Sequence, residues 1–170
     1  MKRGNYGEAQ VSIDILYEVA LDRLNAQIKR IDGIDNRLGV TFGLANGIIA
    51  ALVAFVILAR PPIPPTVTIL TRVCFASYVI SLVFLCLAYL RYRLWSFRPD
   101  PSTLYSIYRD PTYRGYPSIV KEWVAKECIK SIHWNGPRIT LKVKHSFGAL
   151  IATSVEGGFL AASLYAYFMN

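Results

Sequence analysis

Three long stretches that are almost free of charge constrain this chain more than any other feature of its sequence. Residues 40–59, 73–90 and 147–169 contain a single charged side chain among them, Glu156. A bilayer core of about 30 Å needs about 20 helical residues at a rise of 1.5 Å each, and every stretch is close to that length. We therefore expect an all-α membrane protein with three transmembrane helices.

Charge is distributed unevenly along the 170 residues, whose net charge is +8. Residues 91–145 contain eleven Lys and Arg against four Asp and Glu, whereas residues 1–38 contain six of each. Because cationic loops resist translocation, the basic ends of the spans indicate the cytosolic side. We therefore expect a cytosolic N-terminus and an external C-terminus. Eight basic residues support this topology: Lys29, Arg30, Arg37, Arg91, Arg93, Arg98, Lys142 and Lys144.

The spans divide the chain into four regions. Residues 1–39 are expected to form a long cytosolic helix that is continuous with the first span, and residues 40–90 a two-helix transmembrane hairpin with a proline-rich turn. Residues 91–145 are expected to form a small, basic, helical cytosolic segment. Its helix over residues 117–132 is expected to end near Asn135-Gly136-Pro137. Residues 146–170 form the third transmembrane helix. Proline cannot continue a helix, so the turn separates the first two spans.

A heptad pattern from Ile13 onward places apolar residues at alternating steps of three and four, with Gln27 as the polar exception. We predict that this apolar stripe, the heptad seam, joins copies of the chain in an oligomer through Leu24, Ile31 and Leu38. Farther along, Gly39, Gly43 and Gly47 have the four-residue spacing that lets membrane helices approach closely. The spacing does not decide whether this contact is within one protomer or between protomers.

Arg23, Arg30 and Arg37 recur every seven residues beside the seam. In one interpretation they pair with acids on neighbouring helices and set the register of a coiled coil. In the other they form stacked cationic rings in an oligomer and bind a polyanion.

Glu156 is the one acid inside a predicted span. A charge at mid-bilayer costs roughly 3 kcal/mol or more, so such residues usually face a cavity, a partner or an ion pathway. Three interpretations are open: a hydrogen bond to Asn46 or Thr41 of the first span, a pore or gate formed with Asn46, and proton coupling. A pore predicts that Glu156 shares its helix face with Ser154 or Ser163.

The basic segment interleaves cations with aromatic side chains, including Arg109, Tyr113 and Arg114. Cations with stacking faces suit nucleotides or single-stranded nucleic acid. They equally suit the headgroup layer of a bilayer, so both interpretations remain open. No nucleophile motif, phosphate-binding loop or metal-ligand spacing is present in the sequence, so we predict no enzyme activity, no catalytic residues, no cofactor and no metal.

Residues 24–55 carry Ile31-Asp32-x-x-Asp35-x-Arg37-x-Gly39 on a charged helix that enters a glycine-bearing span. This arrangement resembles small bacterial membrane effectors of nucleotide-signalling antiphage systems, most nearly the Hailong-type channel effectors and, beside them, the transmembrane effectors of Pycsar and CBASS. The resemblance implies a homo-oligomeric ion channel, a tetramer in the Hailong type, in the bacterial inner membrane. It also implies a nucleotide or short single-stranded DNA oligomer, made by a partner nucleotidyltransferase, as the ligand. A non-conducting membrane anchor that recruits a cytosolic partner is the alternative.

Overall fold

The computed structural model describes residues 5–90, 95, 105–106, 109–110 and 117–169, with side chains from residue 11 onward in these ranges. Three long helices account for almost all of them: α1 (Asn5–Leu58), α2 (Pro65–Leu90) and α3 (Pro117–Phe168). Each contains a stretch long and apolar enough to cross a membrane. The expected all-α fold with three helices that could span a membrane is thus confirmed for the described residues.

Helix α1 runs without a break from the charged N-terminal region into the first apolar stretch. This continuity was expected, since no proline interrupts residues 10–59. The helix ends at Leu58, before the proline-rich turn, and α2 begins at Pro65. Proline suits the first position of a helix because its missing N–H would have no helical acceptor there. The amide of Val67 donates to the carbonyl oxygen of Pro64 at 3.0 Å and closes this first turn.

The predicted break near Asn135-Gly136-Pro137 is wrong, because α3 continues through Pro137. A proline inside a helix removes one backbone hydrogen bond and crowds the carbonyl four residues earlier. Side chains supply hydrogen bonds to two neighbouring carbonyl oxygens. Gln27 Nε2 donates to the Ile132 oxygen at 3.1 Å, and Arg138 Nη1 donates to the Trp134 oxygen at 2.7 Å.

The chain forms two compact units, each built from two stretches of sequence. The first unit contains Met1–Asp32 and Leu94–Ile139, and the second contains Gly33–Arg93 and Thr140–Asn170. These boundaries cut across α1 and α3, whereas the four regions read from hydropathy follow the expected membrane boundaries.

The first unit has a small apolar core between α1 and α3. Ala20 and Leu24 pack there against three buried residues of α3, namely Val124, Ala125 and Cys128. Burial raises the pKa of the Cys128 thiol above its ordinary value of 9.0.

The second unit is a three-helix bundle whose α2 presents a buried face of mostly small residues. The backbone can therefore approach its neighbours closely, as is common between membrane helices. Gly148 of α3 fits against Phe84 of α2, since a Cβ atom at position 148 would lie 3.0 Å from the phenyl ring. The buried residues of α2 are Val67, Cys74, Ser77, Ser81, Leu85 and Ala88.

Candidate functional site

Glu156 lies in the interior of the second unit, with 0% of its surface exposed. Neither carboxyl oxygen has a hydrogen-bond partner among the residues that the structure describes. Buried polar side chains are usually hydrogen-bonded, because desolvating one without a partner costs roughly 1–3 kcal/mol. The unpartnered carboxyl therefore needs a physical explanation.

Both other helices of the bundle contact α3 at the level of Glu156. The Cys74 thiol of α2 donates to the backbone carbonyl oxygen of Glu156 at 3.4 Å. From α1, the Cδ1 atom of Ile48 lies 3.5 Å from the position that a Cβ atom at Gly157 would occupy. The carboxyl is consequently enclosed by helices of its own chain.

A pair of hydroxyl groups lies one helical turn from the acid. Ser81 Oγ and Thr153 Oγ1 are 2.8 Å apart, and Ser81 Oγ also contacts the Ala149 carbonyl oxygen at 3.4 Å. Both side chains are buried. The sequence interpretation missed this pair, although serines four residues apart, at positions 77 and 81 of an apolar helix, indicate one polar helix face.

The polar face of α3 extends beyond Glu156 to Ser163, which is also fully buried. Ser163 Oγ donates to the Phe159 carbonyl oxygen at 2.8 Å. Glu156 and Ser163 therefore share a buried face of α3, and the lining of a pore by this face stays a prediction. Ser154 lies on the exposed side of α3, where its hydroxyl donates to the Leu150 oxygen at 2.9 Å.

The expected hydrogen bond from Glu156 to Asn46 or Thr41 is not formed. Asn46 Oδ1 accepts from the Tyr78 hydroxyl at 3.0 Å, and its Nδ2 donates to the Phe42 carbonyl oxygen at 2.8 Å. The Thr41 hydroxyl donates to the Arg37 carbonyl oxygen at 2.9 Å. Both polar groups are thus satisfied by α1 and α2, so that interpretation of Glu156 is wrong.

The three arginines of the heptad column, Arg23, Arg30 and Arg37, are all exposed. Within the part of the chain that the structure describes, none of their guanidinium groups forms an ion pair. Two acids of α1 contact lysines of α3. Asp14 accepts from Lys121 at 2.7 Å, and Asp35 forms an ion pair with Lys142.

The heptad seam is covered within its own chain. Leu24, Ile31 and Leu38 are 6%, 5% and 0% exposed in a single copy. Leu24 contacts α3 in the core of the first unit. The prediction that these side chains join protomers is therefore corrected, because a side chain buried by its own chain is not free to contact a second copy. Heptad periodicity identifies a buried helix face but does not identify the helix that covers it.

Gly39, Gly43 and Gly47 lie on an open face of α1. A Cβ atom added at any of the three would have no neighbouring atom within 4 Å. No described helix of the same chain therefore packs closely on this face, and the alternative of a contact between protomers stays a prediction.

Of the predicted ligand residues in the basic segment, Arg109 is described and Tyr113 and Arg114 lie outside the described residues. The Arg109 guanidinium carbon lies 5.1 Å from the ring centroid of Tyr105, and both side chains are exposed. A stacked, exposed guanidinium of this kind suits an anionic ligand as well as a headgroup layer. Among the described residues, no cluster of three His, Cys, Asp or Glu side chains has the arrangement of a metal site.

Comparison of the chain with models of protein families, with curated proteins and with solved structures finds no match. The geometry of the bundle and the exposed arginines therefore carry the functional argument.

Proposed function

We propose that this protein is an oligomeric, ligand-controlled transmembrane ion channel that kills the host cell in bacterial antiphage defence. Its place is the bacterial inner membrane, with the N-terminus and residues 91–145 in the cytosol and the C-terminus outside. The observation that carries the proposal is the fully buried, unpartnered carboxyl of Glu156 in a bundle of three candidate transmembrane helices. The basic residues at the span ends support the orientation.

In this proposal, the described conformation, in which Glu156 is buried, is the closed state. A carboxyl group gains solvation when it meets water, so any rearrangement that hydrates Glu156 recovers the desolvation cost. Packing of the three helices holds the group in the closed bundle. A ligand that binds the open conformation more tightly shifts the equilibrium towards hydration of this face. Thr153 and Ser163 then provide further polar groups along the same face.

The ligand in this proposal is a nucleotide or a short single-stranded DNA oligomer, made by a partner nucleotidyltransferase. Arg23 and Arg30 are exposed, seven residues apart and without an ion pair in the described structure. In a symmetric oligomer each arginine repeats around the axis and strengthens the local positive potential. Arg109 with its neighbouring Tyr105 supplies a second cationic and aromatic surface.

The test is conductance of the purified protein in planar bilayers, with and without short DNA oligomers. Glu156→Gln is expected to change conductance or ion selectivity, whereas Ser154→Ala, on the exposed side of the same helix, should conduct as the wild type does. Replacing both Arg23 and Arg30 with Gln should weaken oligomer binding and reduce its salt dependence, since phosphate contacts release counterions. Lys29→Gln on the same helix is the matched control.

A non-conducting membrane anchor is the second candidate, and one observation favours it. The heptad seam is covered within one chain. An anchor needs no hydrated face and no oligomer. Absence of ligand-dependent conductance in the wild type, together with binding of a cytosolic protein to residues 91–145, would establish the anchor and refute the channel.

A further inference from the structure

A groove of about 310 Å³ opens between α1 and α3 in the second unit. Arg37 and Asn36 line one end of the groove, close to the start of the first apolar stretch. The rest of the lining is mostly apolar, with Thr41 and Ser146 as its polar members. Its most exposed members are Val40, Leu44, Phe147 and Leu150.

The two helices that form the groove run in the same direction. Asp35 pairs with Lys142 near one end of this unit, and the ring of Phe55 meets that of Tyr167 at 5.3 Å near the other. On α1 the groove extends from Ile34 to Leu44. The seven residue steps from Arg37 to Leu44, at a rise of 1.5 Å each, span about 10 Å. This length is about two thirds of one leaflet, which is roughly half of the 30 Å hydrocarbon core.

Arg37 is the one cation among the described residues that line the groove. Arg37 is exposed, and its guanidinium forms no ion pair among the described residues. Asp35, two residues earlier, is neutralised by Lys142. The Arg37 guanidinium therefore remains available to an anion at the depth where phospholipid headgroups lie.

We propose that this groove binds one anionic phospholipid, with its phosphate on Arg37 and one acyl chain along Val40, Leu44, Phe147 and Leu150. The match is in charge and polarity: one guanidinium lies at the headgroup end, and the mostly apolar lining below it holds the upper part of an acyl chain. A DNA oligomer fits less well, because phosphates beyond the first would lie against apolar side chains. This lipid site uses Arg37, whereas the proposed DNA ligand binds Arg23 and Arg30. Lipid binding does not require the protein to conduct ions.

Native mass spectrometry of the full-length protein in detergent tests the site, with phosphatidylglycerol and phosphatidylcholine of identical acyl chains as probes. The wild type should retain phosphatidylglycerol about fivefold more tightly, since a basic residue at an anionic surface contributes about 1 kcal/mol. Arg37→Gln should abolish this preference, and Arg37→Lys should keep most of it. Arg30→Gln, also an exposed arginine of α1, should leave the preference unchanged.

Val40→Trp tests the acyl half of the site, because Val40 is 59% exposed and a larger side chain there fills the groove without entering the core. It should reduce retention of both lipids, whereas Ile69→Trp, at a similarly exposed position of α2, should not. Equal retention of the two lipids by the wild type would overturn the proposal. So would displacement of phosphatidylglycerol by a short single-stranded DNA or by inorganic phosphate at low concentration, or an unchanged preference in Arg37→Gln.

Discussion

Lys142 of α3 and Asp35 of α1 form an ion pair in which the lysine side chain is 4% exposed and the aspartate side chain is 39% exposed. The lysine is thus buried and the aspartate is partly exposed to solvent. Removing one partner of a fully buried pair costs about 3–5 kcal/mol, whereas exposed pairs contribute about 0–1 kcal/mol. Because this pair is neither fully buried nor fully exposed, we expect its contribution to the free energy of unfolding to lie between these two ranges.

Asp35→Asn is therefore expected to lower the free energy of unfolding by about 1–3 kcal/mol, because it removes the carboxylate charge facing Lys142. Thermal unfolding in detergent measures the effect. Asp32→Asn is the control, since Asp32 is exposed on the same helix without an ion pair among the described residues. Equal stability of the two variants would mean that the ion pair contributes nothing.

Gly148→Ala should destabilise the second unit, because the new Cβ atom would lie 3.0 Å from the ring of Phe84. Overpacking of a well-packed site typically costs about 1–3 kcal/mol, which exceeds the roughly 1 kcal/mol that Ala gains over Gly in a helix. Gly158→Ala on the same helix has open space around its Cβ and should be neutral or stabilising. The melting temperature should therefore fall in Gly148→Ala and stay unchanged or rise in Gly158→Ala, and a stabilised Gly148→Ala would contradict the packing of Phe84.

The sequence predicted the three spans, the unbroken α1 and the proline-rich turn, since each follows from local composition and from the chemistry of proline. It failed at Pro137, because a proline weakens a helix without always ending it, and α3 continues through residue 137. It also predicted that Leu24 contacts a second copy of the chain, whereas Leu24 packs against α3 of its own chain. The heptad pattern defines a buried helix face and not the helix that covers this face. The lack of a hydrogen-bond partner for the Glu156 carboxyl among the described residues could not be predicted, since it depends on where Asn46 directs its amide.

Alkaline pH should destabilise the first unit in two steps. The folded pKa of Cys128 is raised from 9.0 by burial, and that of Lys121 is raised from 10.5, chiefly by its hydrogen bond to Asp14. A raised folded pKa means that stability is fully present below the unfolded value and is lost as pH rises through the folded value. The melting temperature is thus expected to hold at pH 7–8, fall above about 9, and fall again above about 10.5.

Cys128→Ala should remove the first of these steps, because alanine has no thiol to ionise. Cys86→Ala is the control, since Cys86 is exposed on α2. Labelling with a thiol reagent should also be slow at Cys128 at pH 8, where a buried thiol remains protonated. A first step that persists in Cys128→Ala would assign it to another group.

Leu24→Ala should destabilise the first unit within a single copy, without dissociating an oligomer. Leu24 is 6% exposed and packs against Cys128 and its neighbours, so truncation leaves a cavity worth about 2–4 kcal/mol. The same change at Ile15, which is 56% exposed, should cost far less. Native mass spectrometry should show the same oligomeric state in the wild type and both variants. Dissociation of an oligomer on Leu24→Ala would instead mean that the heptad seam lies at an interface between copies of the chain.

Glu156→Leu should stabilise the protein while abolishing the proposed conductance. The carboxyl oxygens have no hydrogen-bond partner in the described structure, so the native state carries a desolvation cost without a compensating bond. Leucine has a similar volume and no polar group, and its presence should raise the free energy of unfolding by about 1–3 kcal/mol. Glu156→Gln should change stability much less, because its amide is also buried without a partner.

The same substitution at Glu127 separates this effect from a general preference for leucine inside a helix. Glu127 is also buried, but its carboxylate accepts a hydrogen bond from Lys130 at 2.5 Å, so Glu127→Leu removes a partnered group and should not stabilise. Thermal unfolding in detergent and conductance in planar bilayers would be measured on the same preparations. A stabilised, non-conducting Glu156→Leu would mean that the protein keeps a destabilising acid because conduction requires it. A destabilised Glu156→Leu would instead mean that the carboxyl has a stabilising partner in the folded protein, and the gating proposal would lose its main support.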